Sequence, residues 1–184
     1  MKNSKKNNKL SFSKFSLKKE LLKSIKELGF DQPTSIQEKV IPHLKSSRQD
    51  LIASAQTGTG KTAAFGLPLL DLVDISNSDV QSLILCPTRE LCIQISNDLV
   101  TYSKYMNGMK ILPVYGGSRL DRQIKSLKKG PQIVVGTPGR VKDLIKRKKL
   151  VVEDIERFVL DEADEMLSMG FKDDLETVSY THLT

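Results

Sequence analysis

Short apolar runs alternate with longer amphipathic segments along this chain, a pattern typical of a parallel α/β fold. Five apolar runs predict strands, namely DLIAS, QSLILC, KILPVY, QIVVG and RFVLD. The segments between them predict helices, such as the one that places Leu91, Ile95, Leu99 and Tyr102 on a single face. Strands separated by helices imply βαβ crossovers and therefore a mostly parallel sheet with helices on both faces. Such sheets bind ligands at the carboxyl ends of their strands.

Two further helices are predicted before the first strand. An apolar stripe from Leu17 to Leu28 is followed by Gly29, which suits a helix C-cap. Thr34 can cap the start of a second helix that runs to about Leu44, with Gln37 three residues later as its capping-box partner. Ahead of them, residues 1–11 are polar and lysine-rich and predict a disordered leader.

Charge and composition narrow the class of protein. The 184-residue chain has a net charge of +7, and seven of its lysines precede the first acid, Glu20. Basic and acidic residues balance from residue 20 onwards, so the charge alone favours a nucleic-acid partner only weakly. No apolar run approaches the roughly 20 residues of a membrane span, and the N-terminus does not resemble a secretory signal. Cys86 and Cys92 are too few for a zinc set and predict buried thiols, so we expect a cytoplasmic protein.

The stretch AQTGTGKT stands between a predicted strand and a predicted helix, which is the setting of a phosphate-binding loop. Its glycines let backbone N–H groups approach a phosphate chain, Lys61 can reach the β- and γ-phosphates, and the Thr62 hydroxyl can bind Mg²⁺. The predicted nucleotide ligands are Ala55, Gln56, Thr57, Gly58, Thr59, Gly60, Lys61 and Thr62. Ala55 replaces the glycine of the strict pattern. The alternative is a Gly/Thr-rich turn that caps a helix.

A second motif, FVLDEAD, places Asp161 and Glu162 at the end of another predicted strand. An acid at that position can hold the Mg²⁺ of a nucleotide, which makes Asp161 the candidate metal ligand. Glu162 can polarise a water molecule for attack on the γ-phosphate. The alternative is a helix N-terminus enriched in acids, which the helix dipole favours. Because the phosphate loop stands at another strand end, we predict Lys61, Asp161 and Glu162 as catalytic residues.

Five motifs in order, AQTGTGKT, PTREL, GG, TPGR and DEAD, give the chain a specific resemblance to the DEAD-box RNA helicases over about residues 12–178. The resemblance implies the first helicase domain of such an enzyme, with the RecA-like P-loop ATPase fold, ATP and Mg²⁺ as cofactors and RNA as partner. It also implies a glutamine motif at about residues 12–40. There Gln37 would read the adenine edge and Phe12 would stack on the adenine.

The remaining family motifs imply contacts to the RNA backbone and between helicase domains. The implied RNA-contacting residues are Thr88, Arg89, Gly116, Gly117, Thr137, Gly139 and Arg140. Helix N-termini, close backbone approach and arginines all suit phosphates, and such contacts read no base sequence. Asp164 would couple the two helicase domains. The alternatives are a surface ion pair for each arginine and a plain turn for the glycine pair.

The end of the chain departs from the family pattern. Family members continue to a further strand, a Ser-Ala-Thr motif and a second helicase domain, whereas this chain reads SYTHLT after residue 178. We therefore expect an incomplete domain over 12–178, an atypical tail over 179–184, and little ATP turnover by this piece alone. Three functions stay open: the first domain of an ATP-dependent RNA helicase, a non-catalytic module that binds ATP and RNA, and another P-loop nucleic-acid-dependent ATPase.

Overall fold

The structure, a computed structural model, describes residues 11–56 and 58–183, with side chains up to Tyr180. It divides into two compact units, one within Met1–Leu72 and Tyr102–Tyr105, the other within Val73–Thr101 and Met106–Thr184. Residues 1–10 of the predicted leader, the predicted nucleotide ligand Thr57 and the terminal Thr184 lie outside the described residues. None of the described helices is both long enough and apolar enough to cross a membrane.

The first unit is helical. Its elements are a 3-10 helix Phe12–Phe15, α1 Lys19–Glu27, α2 Ser35–Ser46 and α3 Lys61–Leu72. Gly29 follows α1 with φ of 78°, as expected of a glycine after a helix C-cap. The predicted capping box is present at the start of α2, between Thr34 and Gln37. The helices predicted before the first strand are therefore confirmed, and so is the helix after the phosphate loop.

A partly buried ion pair anchors the segment that connects the 3-10 helix to α1. The Lys45 ammonium on α2 lies 2.8 Å from the Asp71 carboxylate on α3 and donates to the carbonyls of Phe15 and Ser16 at 2.9 and 2.5 Å. The other Asp71 oxygen accepts from the backbone N–H of Lys18 at 2.6 Å. These extra hydrogen bonds offset the cost of partly removing both charges from water.

The strand predicted over DLIAS is wrong. Residues 51–56 have no regular secondary structure, and the Ile52 side chain is 99% exposed. A strand exists only where its N–H and C=O groups pair with a neighbour. No described strand pairs with this stretch, because the sheet consists of four other strands. An apolar run is therefore not sufficient to form a strand here.

The second unit is a parallel sheet covered by helices. Its strands are β1 Ser82–Leu85, β2 Ile111–Val114, β3 Ile133–Gly136 and β4 Arg157–Leu160, in the order β2-β3-β1-β4. Its helices are α4 Arg89–Tyr102, α5 Leu120–Leu127, α6 Pro138–Lys146, α7 Ala163–Ser168 and α8 Lys172–Leu183. All three strand pairings are parallel. The predicted α/β class is confirmed, with four strands among the described residues instead of five.

The two central strands, β1 and β3, are buried along their whole length. Complete burial requires cover on both faces of the sheet. On one face the core joins the sheet to α5, α6, α7 and α8, through the side chains of Leu83, Leu85, Val134, Leu127, Val141, Leu144, Met166, Leu175 and Val178. On α4, Ile95 and Leu99 are fully buried, as their spacing predicts.

Helix α8 was not predicted from the sequence. It packs on α6, and the Lys142 ammonium pairs with the Asp174 carboxylate at 2.6 Å. Val178, where the predicted domain ends, is fully buried within this helix, which continues to Leu183. The domain boundary and the atypical tail stay predictions.

Replacing Gly136 with alanine should destabilise the second unit. A Cβ at Gly136 would overlap Val141 and lie 2.8 Å from Val114 Cγ2, whereas a Cβ at Gly116 would meet no atom within 4 Å. We expect Gly136→Ala to lower the free energy of unfolding by about 1–3 kcal/mol through overpacking. Gly116→Ala, the matched control, should stay within about 0.5 kcal/mol of the parent. Denaturant unfolding measures both, and equal effects would contradict this packing.

Candidate functional site

The four strands of the second unit end in register. Leu85 at the end of β1 pairs with Gly136 of β3 and Leu160 of β4, and Val114 of β2 also pairs with Gly136. Each of the motifs PTREL, GG, TPGR and DEAD begins within a few residues of one of these ends. Because the strands are parallel, all four motifs leave the sheet at the same edge. We call this edge the motif edge.

The acidic pair begins where β4 ends. Asp161 is 9% exposed, and its backbone N–H donates to the Leu85 carbonyl at 2.9 Å. Glu162 has a left-handed backbone, with φ of 55°. This conformation costs a non-glycine residue about 1 kcal/mol or more and is frequent at functional sites. The Glu162 side chain makes no capping hydrogen bond to α7, so it does not serve as an ordinary N-cap.

The two cysteines are free, buried thiols, as predicted. Cys92 Sγ contacts the Val135 carbonyl at 3.1 Å, and Cys86 Sγ contacts the Gly136 carbonyl at 3.8 Å. The pKa of Cys86 is raised by its hydrogen bond with Cys92, by burial, and by the negative charges of Asp161 and Glu162. Cys86 therefore stays a neutral thiol beside the acidic pair and does not add a charge to it.

The PTREL motif opens helix α4. The Thr88 hydroxyl accepts from the Leu91 N–H at 3.2 Å, which makes Thr88 a capping residue. Arg89 is exposed, and its guanidinium lies 5.0 Å from the centre of the Tyr115 ring. An aromatic face can hold an arginine in place without neutralising its charge. Among the described residues Arg89 forms no ion pair, contrary to the surface ion-pair alternative.

Arg140 of TPGR is held by neutral groups. Its guanidinium donates to the Gln123 side-chain oxygen at 2.8 Å and to the Ser118 carbonyl at 3.3 Å. Gln123 in turn donates to the Tyr115 carbonyl at 3.1 Å. This network connects the first turn of α6 to the loop that contains the glycine pair. The predicted ion-pair alternative does not describe Arg140.

Gln123 and Tyr115 were not predicted from the sequence as site residues. Gln123 is only 6% exposed and shares the buried face of α5 with Leu127. An amide on an apolar helix face is the signal that could have identified it, because a buried amide needs hydrogen-bond partners. Tyr115 carries no comparable signal, since its contact with Arg89 depends on how β2 and α4 pack.

At the motif edge, Gly116 and Gly117 expose their backbone, and the Thr137 hydroxyl does not cap its helix. Gly116 and Gly117 are exposed, and Gly117 has φ of 75°, which favours glycine. Thr137 caps α6 from an extended backbone, but its side chain makes no capping hydrogen bond. Gly139, in the first turn of the same helix, is exposed.

In the first unit, Gln37 connects the start of α2 to the phosphate loop. Its side chain is 3% exposed, accepts from the Thr34 N–H at 2.9 Å and donates to the Gly60 carbonyl at 3.2 Å. The capping-box role is thus confirmed. The contact with Gly60 was not predicted, because the sequence does not show which loop faces the amide.

The phosphate loop turns through two glycines and ends in a helix N-terminus. Gly58 and Gly60 have φ of 78° and 86°, and the Thr59 hydroxyl donates to the Gln56 carbonyl at 2.7 Å. Lys61 and Thr62 are the first two residues of α3. No carboxylate of the described residues pairs with Lys61. Its charge, the N-terminal N–H groups and the loop backbone together suit an anion.

Phe12 lies in an aromatic cluster. The ring is 3% exposed, packs edge-on against Phe15 at 5.9 Å and lies 6.1 Å from Phe30, measured between ring centres. The structure therefore gives Phe12 a packing role, and its stacking on adenine stays a prediction. No group of three or more His, Cys, Asp or Glu residues that could hold a metal occurs in the described part of the chain.

Comparison with known proteins agrees with this arrangement. The family model described as DEAD/DEAH box helicase matches residues 34–182. The chain belongs to this family. Its matched segment includes the phosphate loop, all four motifs of the motif edge and the residues of the Arg140 network.

Curated relatives include ATP-dependent RNA helicase CshA of Listeria monocytogenes, 56% identical over 91% of this chain and 32% of that protein. The CshA of Streptococcus pneumoniae is 49% identical over 92% of this chain and 32% of its own length. This chain therefore spans about a third of the length of these relatives.

Two solved structures extend the comparison. A DEAD box protein from Methanococcus jannaschii has a TM-score of 0.89 and 43% identity, over 94% of this chain and 47% of that one. A yeast Dbp5 variant bound to RNA and ADP-beryllium fluoride has a TM-score of 0.83 and 36% identity, over 93% of this chain and 43% of that one. The fold is therefore that of RecA-like DEAD-box domains.

Gly60→Ala should destabilise the protein more than Gly58→Ala does. Both positions have positive φ, so both substitutions strain the backbone by about 1 kcal/mol. Only the Cβ at Gly60 would overlap the Gln37 amide, whereas at Gly58 nothing lies within 4 Å. Displacing Gln37 breaks hydrogen bonds worth about 0.5–1.5 kcal/mol each.

Thermal unfolding of the two variants, repeated in a Gln37→Ala background, measures this contact. We expect the extra loss at Gly60 to disappear when Gln37 is alanine. An extra loss of the same size in both backgrounds would mean that Gln37 is not the group displaced.

Proposed function

We propose that the chain is the nucleotide-binding part of the first helicase domain of an ATP-dependent RNA helicase. The single observation that carries the proposal is the in-register end of β1, β2, β3 and β4, which brings four family motifs to one edge of the sheet. The RNA helicases named CshA among the relatives and the RNA-bound Dbp5 variant support this substrate class.

ATP phosphates would bind the loop from Ala55 to Thr62, with Lys61 as their point charge. The donor chemistry suits Mg²⁺, since the Thr62 hydroxyl and the buried Asp161 carboxylate are hard oxygen ligands. A magnesium ion in such sites is held mainly by phosphate oxygens and water, so a cluster of several acids is not required. Glu162 would orient and deprotonate the attacking water.

The base of ATP would be read by Gln37, whose amide can donate and accept at the adenine edge. Phe12 would supply the stacking surface once one face of its ring is uncovered. RNA would bind the motif edge through Thr88, Arg89, Gly116, Gly117, Thr137, Gly139 and Arg140. These groups address sugar and phosphate, so binding should be independent of base sequence and sensitive to salt.

A second helicase domain would complete the enzyme and contact this one near Asp164. In phosphoryl transfer an arginine supplied by a second domain accelerates the reaction about 10³–10⁵-fold. We therefore expect efficient ATP hydrolysis from the whole protein and not from this chain alone. A cytoplasmic location is also proposed, since two free buried thiols suit a reducing compartment.

Lys61→Ala should weaken ATP binding at least about 30-fold, since truncating one partner of a buried charge pair costs about 2 kcal/mol or more. Titration of a fluorescent ATP analogue into the full-length protein measures the change. Lys39→Ala, an exposed lysine of α2, is the control and should bind like the parent. Equal affinity of the Lys61 variant and the parent would contradict the phosphate-loop assignment.

Glu162→Gln should retain Mg-ATP binding in the full-length protein and lower RNA-stimulated hydrolysis by about 10²–10⁴-fold, the usual contribution of a general base. Glu165→Gln, an exposed acid in the first turn of α7, is the matched control and should hydrolyse ATP at the parent rate. If neither the parent nor the control hydrolysed ATP with RNA, the chain would be a non-catalytic module. Turnover by the Glu162 variant at the parent rate would exclude Glu162 as the base.

A further inference from the structure

Positive charge is distributed unevenly within residues 20–184, although their net charge is zero. Residues 119–149 contain eleven lysines and arginines and only two acids, Asp121 and Asp143. The whole of residues 20–184 is neutral, so the rest of that range carries an equal excess of acids. Like charges concentrated on one surface repel each other and create a potential that attracts polyanions.

The basic residues of α5 lie opposite its buried face. Gln123 and Leu127 point into the core, and Ile124 packs against it. Arg122 and Lys125 are three residues apart on the opposite side of α5, and Lys128 and Lys129 follow in the turn after its last residue, Leu127. All four are exposed. We call these four residues the α5 basic face.

No carboxylate of the described residues pairs with the α5 basic face. The two acids of residues 119–149 are already engaged, because Asp121 pairs with Arg119 and Asp143 with Arg147. Arg119 also holds the pKa of Asp121 below its usual range, so that acid stays charged and paired. The four cations therefore remain available to an external anion.

Helix α5 leads from the motif edge to the opposite edge of the sheet. It begins three residues after Gly117 and ends shortly before β3 starts, over a length of about 12 Å. At the far edge, Lys110 and Lys129 line one cleft. Lys149 lines another beside Leu127, together with Asp79 and Asp154. Lys110 also donates to the Lys129 carbonyl at 2.7 Å. The α5 basic face thus connects the proposed RNA-contacting loop to further lysines.

We propose that the α5 basic face is a second contact surface for RNA, which binds the strand where it continues beyond the motif edge. The proposal rests on the proposed function and extends it. The surface suits RNA better than a protein, because no large apolar side chain is exposed between residues 119 and 149. Protein interfaces usually have an apolar core, whereas phosphate contacts need only charge.

The test compares three forms of the full-length protein. The face variant carries Arg122→Glu, Lys125→Glu and Lys129→Glu. The control variant carries Lys19→Glu, Lys26→Glu and Lys39→Glu, which change the net charge equally at exposed positions of α1 and α2. Affinity is measured for single-stranded RNAs of increasing length at several salt concentrations, and circular dichroism checks that all three proteins are folded.

We expect the face variant to bind the shortest RNAs like the control variant and long RNAs at least about tenfold more weakly at low salt. The slope of log affinity against log salt for long RNA should fall by about 2, since each lost phosphate contact on a single strand contributes about 0.7. Affinity should also stop rising with length earlier than in the control variant.

Equal losses in the face and control variants would assign the effect to net charge and overturn the proposal. An equal loss for short and long RNA would place α5 within the main site and also overturn it. Unchanged RNA affinity of the face variant would also overturn the proposal. Polyglutamate is titrated in parallel, and lost binding of it alone would assign the surface to an acidic protein. Failure of the parent to bind any RNA would overturn the proposed function, and this inference with it.

Discussion

Parallel pairing of β1 with β3 and β4 is the constraint on which the rest of the second unit depends. Because Leu85, Gly136 and Leu160 lie in register, the loops after these strands leave the sheet at one level. Gly136 permits this only because it lacks a Cβ, which would overlap Val141. The pairing also fixes where α4, α6 and α7 begin, and hence where arginines, helix N-termini and the acidic pair lie. A shift of one residue in any strand would separate the groups that the proposed function assigns to one ligand.

The sequence predicted the elements whose signals are local. Thr34 and Gln37 form the predicted capping box, and the helices after the strands begin close to their predicted positions. The sequence did not predict elements whose formation depends on a partner far away in the chain. Residues 51–56 have the composition of a strand, yet pairing and not composition makes a strand. For the same reason it missed Gln123, whose importance depends on Tyr115 and Arg140 lying beside it.

The distribution of charge along the chain also differs from its average. An average over residues 20–184 is neutral and favours no partner, whereas the same residues contain a strip of eleven cations and two acids. The structure adds that α5 buries Gln123 and Leu127 and exposes Arg122 and Lys125, so its cations share one surface. Net charge describes solubility, but the distribution of charge over one helix face determines which ligand can dock there.

Gln37 forms the helix cap and still has hydrogen-bonding groups for the adenine contact proposed for it. A primary amide has two N–H donors and two acceptor sites on its oxygen. The helix cap uses one acceptor site, through the Thr34 N–H, and the Gly60 carbonyl uses one donor. One donor and one acceptor remain, and a glutamine can pair with adenine through one of each. Since Gln37 is 3% exposed, a base can reach these groups only if neighbouring side chains move aside. Recognition of adenine would therefore be transmitted through the same amide to the backbone of the phosphate loop.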